Sequence, residues 1–123
     1  NKIATMAGPA FGASQHIAAI ILTVMRYHPE YRSAVNIRFS EELIRECKKL
    51  GWTVRSFDRT KEPKEIKDRE GSTLEWGTDS VLAIGEKVPD IIFDRGDVGK
   101  EPMIRILGKK PEDVVDKISA LIG

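Results

Sequence analysis

The segment Pro89-Asp-Ile-Ile-Phe-Asp-Arg-Gly-Asp-Val-Gly-Lys-Glu-Pro102 sets two short apolar runs on either side of a long charged loop. Ile91, Ile92 and Phe93 read as a strand, introduced by Pro89 and closed by Asp94; after Pro102, Met103-Ile-Arg-Ile-Leu107 reads as a second. Two strands in direct succession, in a chain whose other strands are separated by helices, make the sheet mixed rather than purely parallel. The connecting loop takes about nine residues, whereas a plain hairpin needs about two to five. Its charges are Asp94, Arg95, Asp97, Lys100 and Glu101, with Gly96 and Gly99 between them. Glycine tolerates positive φ, so successive N–H groups could converge on an anion, with Arg95 and Lys100 adding charge beside them. A hairpin whose glycines serve turn geometry alone stays open as the simpler reading. Length and charge together favour a phosphate site.

Upstream of this segment, Gly71-Ser-Thr-Leu-Glu-Trp-Gly77 opens a helix. Ser72 or Thr73 is its cap, Glu75 stands near the third helical position, and Thr78 to Lys87 continues with Val81, Leu82 and Ile84 turned inward. The run from Asp58 to Glu70 is nearly all charged and reads as a solvated face, with a short helix after Pro63. Trp52 to Phe57 alternates as a strand. Before it, Ser40 caps a helix that carries Glu41 and Glu42 in its first turn, Lys48 and Lys49 in its last, and Gly51 just past its end. Ala34 to Phe39 alternates again, with Val35, Ile37 and Phe39 on one face and Asn36 and Arg38 on the other.

The helix from Gln15 to about His28 is apolar nearly all round and therefore buried on more than one side. Ser14 reads as its cap, which puts His16 in its first turn, near free N–H groups that suit an anion. Lys2 to Ala7 reads as a further strand. Pro111 to Ile122 closes the chain as an amphipathic helix with Val114, Val115, Ile118, Leu121 and Ile122 inward. Alternating strands and helices predict an α/β fold with helices over both faces of the sheet. In such a fold the His16 helix start, Asn36 with Arg38, Ser72 to Glu75, and Asp94 to Glu101 can converge.

A chain of 123 residues is one domain, residues 1–123, large enough for a real core. Its net charge of +1 gives no global field for nucleic acid or for a membrane surface, so anion specificity has to be local. The single cysteine, Cys47, rules out an internal disulfide framework. It shares a helical face with Leu43, Ile44 and Leu50, which predicts a buried thiol and suits a reducing cytoplasm. The longest apolar run, Ile17 to Met25, falls well short of the roughly twenty residues that span a bilayer. A start at Asn1 rather than methionine leads us to expect a C-terminal portion of a longer protein.

Five motifs carry a family resemblance: Phe11-Gly-Ala-Ser-Gln-His16, Asn36-Ile-Arg-Phe-Ser40, Ser56-Phe-Asp-Arg59, Gly71-Ser-Thr-Leu-Glu-Trp-Gly77 and Pro89 through Met103. In this order they resemble the archaeal ThiN-type thiamine-phosphate synthase domain. The resemblance implies a three-layer α/β/α sandwich with a mixed sheet, related to class II aldolase-like domains. It implies joining of hydroxymethylpyrimidine diphosphate to a thiazole phosphate, giving thiamine phosphate and pyrophosphate. In that family the domain usually follows an N-terminal phosphomethylpyrimidine kinase domain. A similar domain follows a helix-turn-helix in transcription regulators that sense thiamine phosphates, which is the alternative reading. The family's catalytic domains carry a further helix and strand upstream of Asn1, so turnover by this chain alone is a separate question from ligand binding.

The chemistry needs positive charge on a leaving diphosphate, a cradle for a second phosphate and exclusion of water. Arg38 and Arg95 fit bidentate phosphate contacts as catalytic residues, and His16 could donate to an anion or to the leaving group. Ser14, Asn36, Ser72, Thr73, Glu75, Asp94, Gly96, Asp97, Gly99, Lys100 and Glu101 are then placed around the substrates. Mg²⁺ is expected with the diphosphate, held through water by Asp94 or Asp97, its direct ligands being unknown. Partners are then small-molecule phosphates, with room left for a homo-oligomer.

Overall fold

The computed structural model describes residues 11–67, 72–85 and 87–122. In chain order these form α1 (Phe11–Tyr27), β1 (Ser33–Arg38), α2 (Glu41–Lys49), β2 (Val54–Ser56), a 3₁₀ turn (Arg59–Lys61), α3 (Lys64–Lys67), α4 (Ser72–Ile84), β3 (Ile91–Asp94), β4 (Met103–Gly108) and α5 (Pro111–Ile122). The strands make one mixed sheet in the order β1-β4-β3-β2. β3 and β4 pair antiparallel around the charged loop, with Ile92 opposite Arg105 and Asp94 opposite Met103. β1 joins β4 antiparallel, and β2 joins β3 parallel. The mixed sheet predicted from the two consecutive strands is therefore present.

Side-chain alternation along these strands divides the core in two. Ile37, Ile91, Phe93, Ile104 and Ile106 face α2 and α5, and pack with Ile44, Cys47, Val114, Ile118 and Leu121. Ile92 and Leu107 face the other way, against Ile20 and Val24 of α1, Leu82 of α4, and Phe57. Each such side chain, once buried, contributes about 1.5–3 kcal/mol. Helices thus cover both faces of the sheet. Ser40 caps α2 as expected, accepting a bond from the Leu43 N–H at 3.3 Å, and Gly51 follows it with φ +82°.

Several boundaries differ from the sequence reading. α1 begins at Phe11, so Ser14 lies inside the helix and not at its cap. His16 consequently sits in the second turn, past the amides that an N-terminus leaves free. α4 begins at Ser72 and stops at Ile84, so Thr73 is also an interior residue and not a cap. β2 is limited to Val54–Ser56, and the Thr53 backbone just before it bonds to the start of β3. Its carbonyl accepts from the Asp90 and Ile91 amides at 3.0 and 3.1 Å, and its own N–H donates to Asp90 Oδ2 at 2.9 Å. The strand read over Lys2 to Ala7 lies outside the described residues.

Candidate functional site

β2 and β3 run parallel and end side by side, and the carboxyl ends of parallel strands are where α/β sheets bind ligands. Asp94, the last residue of β3, is fully buried there. Its Oδ1 accepts from the Gly96 N–H at 2.7 Å, and Arg105 Nη2 lies 2.6 Å from its Oδ2. Arg59 Nη1 approaches the same carboxylate at 3.9 Å from the 3₁₀ turn after β2. Arg105 is also fully buried, stacked 5.3 Å from the centre of the Phe57 ring. Burial pulls its pKa below the usual guanidinium range, and the Asp94 charge opposes that shift.

Several further buried polar atoms are uncommitted among the described residues. Arg105 Nε and Nη1, Arg59 Nε, both carboxylate oxygens of Glu62, Thr78 Oγ1 and Asn36 Oδ1 lack hydrogen-bond partners among the described residues. Asn36 faces Arg105 directly across the β1–β4 ladder. Glu62 directly follows the 3₁₀ turn that carries Arg59, and its amide donates to the Arg59 carbonyl at 3.4 Å. A buried donor or acceptor without a partner costs about 1–3 kcal/mol, and more when charged. A ligand offering both acceptors and donors would relieve that cost.

The charged loop is built differently from the expected anion cradle. Asp97 and Lys100 exchange both backbone bonds, 3.2 and 2.9 Å long, and Asp97 Oδ1 accepts from the Val98 N–H at 2.8 Å. With the Gly96 N–H turned to Asp94, four of the loop's amides are bonded within the loop or to the end of β3. The glycines are needed for the turn: Gly96 and Gly99 have φ of +77° and +71°. A Cβ on Gly96 would fall 2.4 Å from the Lys100 carbonyl oxygen.

The two arginines singled out in the sequence are not brought together. Asp94 and Arg38 belong to the sheet face that carries Arg105, whereas Arg95 turns to the opposite face. There it stacks on Phe39 and Phe93 at 5.1 and 5.6 Å and pairs with Glu41 at the start of α2. That bond pulls the Glu41 carboxyl below its ordinary range and raises Arg95. Arg38 is exposed, with Glu101 3.6 Å away. Glu75 is held by Arg26 at 3.1 Å, and its neighbour Asp79 by the Tyr27 hydroxyl at 2.5 Å, so both tie α4 to the end of α1. The side chains of Ser14, His16, Ser72 and Thr73 lie outside the described residues.

Among the described residues, no three His, Cys, Asp or Glu side chains gather as a metal-binding set. Asp94 meets Arg105 and the Gly96 amide. Arg59, Glu62, Thr78 and Arg105 are the residues that sequence reading missed. One signal was present for Arg105, a charge in the middle of an apolar strand two residues past Met103, within hairpin reach of Asp94.

Over residues 1–120 the chain matches the model of a family described as thiamine-phosphate synthase ThiN. It is similar to the thiamine-phosphate synthase ThiN of Methanothermobacter thermautotrophicus, 41% identical over 108 residues, which are 88% of this chain and 57% of that protein. It is similar also to the bifunctional thiamine biosynthesis protein ThiDN of Methanocaldococcus jannaschii, 46% identical over 90% of this chain and 25% of that protein. The chain thus spans 57% or less of the length of these curated relatives. Among solved structures, the C-terminal domain of a phosphomethylpyrimidine kinase superposes with a TM-score of 0.82 at 49% identity, over 90% of this chain and 62% of the other.

Proposed function

Because the chain belongs to the ThiN family of thiamine-phosphate synthases, we propose that it is the synthase domain of a thiamine-biosynthetic transferase. The reaction joins hydroxymethylpyrimidine diphosphate to thiazole phosphate. The bond from the pyrimidine methylene carbon to the diphosphate oxygen breaks, and pyrophosphate leaves with the electron pair. The thiazole ring nitrogen then forms the new bond to that carbon. No protein nucleophile takes part. What the protein must supply is positive charge where the diphosphate departs and a site closed to water.

The observation that carries this reading is the buried Asp94–Arg105 pair with Arg59 beside it, at the carboxyl ends of β2 and β3, with guanidinium N–H groups still unbonded. Asp94 holds Arg105 in orientation, and the free edges of Arg105 and Arg59 suit phosphate oxygens bidentately. Glu62, an acceptor without a donor among the described residues, suits the amino group of the pyrimidine. Helices on both sheet faces support the three-layer, aldolase-like class. The names of the relatives support fusion to an N-terminal kinase domain. Mg²⁺, where the reaction uses it, would arrive on the diphosphate, and no step here is routed through it.

The test is formation of thiamine phosphate from the two substrates, by this chain and by a version extended upstream to the length of its relatives. Product formed by the extended protein, and lost with Arg105→Met or Arg59→Ala, supports the reading. No product from either wild-type form overturns it.

A further inference from the structure

A cavity of about 390 Å³ opens beside the edge strand β2, between it and α4. Phe57, Trp76, Val81 and Ile84 form its apolar wall, and Arg55 and Lys61 stand at its rim. This volume falls within the range of about 300–1,000 Å³ typical of small-molecule sites, which combine apolar walls with a few convergent polar groups. Trp76 meets Phe57 edge to face, with ring centres 6.3 Å apart and planes at 82°, so the two rings form an aromatic corner. Gly77 makes that approach possible, because a Cβ there would come within 2.4 Å of the Phe57 ring.

The rim is cationic where it matters. Arg55 projects on the sheet face shared with Ile92, the face that α4 covers. Asp58, the rim's carboxylate, accepts both the amide and the hydroxyl of Thr60 at 2.9 and 2.6 Å, bonds that lower its pKa. Arg55 and Lys61 are left as exposed donors over an aromatic wall. Phe57 forms part of the cavity wall and lies under the Arg105 guanidinium, so the cavity adjoins the buried ion pair through a single ring.

We infer that this cavity takes a phosphorylated aromatic heterocycle, its ring packed on Trp76 and Phe57 and its phosphate held by Arg55 and Lys61. The inference rests on the synthase reading, under which the heterocycle is the thiazole phosphate. The diphosphate of the second substrate is then left to Arg105 and Arg59.

Trp52 and Trp76 are the two tryptophans of the chain, so Trp52→Phe leaves Trp76 as the sole reporter. In that variant, thiazole phosphate should quench Trp76 emission saturably, whereas inorganic phosphate at equal concentration should not. Arg55→Ala and Lys61→Ala, both at exposed positions, should each raise the dissociation constant tenfold or more. Thiazole phosphate or thiamine phosphate that binds the wild-type chain by calorimetry, yet leaves Trp76 emission and both rim variants unmoved, overturns the cavity assignment and leaves the synthase reading intact. Equal quenching by inorganic phosphate removes the heterocycle from the proposal. Product formation is measured separately, so loss of the functional reading is seen without reference to Trp76.

Discussion

Removing the charge of Asp94 while leaving Arg105 in place should be among the most damaging single changes available to this fold. Both side chains are fully buried, so in Asp94→Asn the guanidinium loses the carboxylate 2.6 Å from its Nη2 and gains no water in exchange. Breaking a buried pair from one side costs about 3–5 kcal/mol, a large part of the roughly 5–15 kcal/mol that holds a typical domain together. With a urea dependence of about 1–3 kcal/mol per molar, the midpoint should fall by about 2 M. Replacing both partners, as in Asp94→Leu with Arg105→Met, removes the two charges together. Buried pairs exchanged for apolar residues are often neutral or better. The bond from the Gly96 N–H is lost as well, worth about 1 kcal/mol, so the double variant should recover about 2–4 kcal/mol relative to Asp94→Asn. It should remain unable to bind pyrophosphate or to form product. A double variant as unstable as the two single changes summed would refute the reasoning, because it would mean that the charges are not coupled.

Gly96→Ala should destabilise far more than Gly99→Ala, read as urea midpoints: both have positive φ, but only the first would drive a Cβ into backbone, the second costing about 1–2 kcal/mol. Glu62→Met should raise the melting temperature, since a buried carboxylate with no partner among the described residues is exchanged for an apolar side chain, while calorimetry shows weaker binding of the amino-pyrimidine substrate. Burial pushes the Cys47 thiol up to about 11 from an ordinary 9.0. The unfolded chain therefore ionises first, and the stability this thiol contributes is whole below pH 9 and lost as pH rises through 11. Cys47→Ala should show a smaller loss of stability across that window in urea titrations. The Glu41 carboxyl, held low by Arg95, works in the opposite sense: its contribution is present above the ordinary carboxylate range and fades as pH falls below it, which Glu41→Gln should abolish.

Much of the architecture was legible because it depends on local chemistry. Ser40 and Gly51 bracket α2 as their types predict, and the consecutive strands around Asp94 to Glu101 made the sheet mixed. The end of α1 was read closely, but its start was not, since a serine with helix-forming neighbours on both sides does not have to cap. Helices on both sheet faces followed from the alternation of strands and helices along the chain. The site was less legible. Glu62 lies in a run of charges that composition assigns to solvent, and its burial is decided by how the turn after β2 packs, not by its neighbours in sequence. Thr78 was read as one more helical residue, yet it is fully buried.

Arg38 and Arg95 show why charge in a loop is a poor guide to a site. Each lies at the end of a strand, and strand parity decides which face it serves; Asp94 and Arg95, one residue apart, serve opposite faces. The face that keeps Asp94 also keeps Arg105, and there burial leaves each charge dependent on a partner. Arg95, on the other face, is exposed, stacked on two phenylalanines and matched to Glu41, so it already has its partners in the free protein. Arg105 Nε and Nη1 have no hydrogen-bond partner among the described residues. A group that is both buried and incompletely bonded carries a free-energy cost which a ligand can remove, and that cost distinguishes Arg105 from the more conspicuous arginine of the loop.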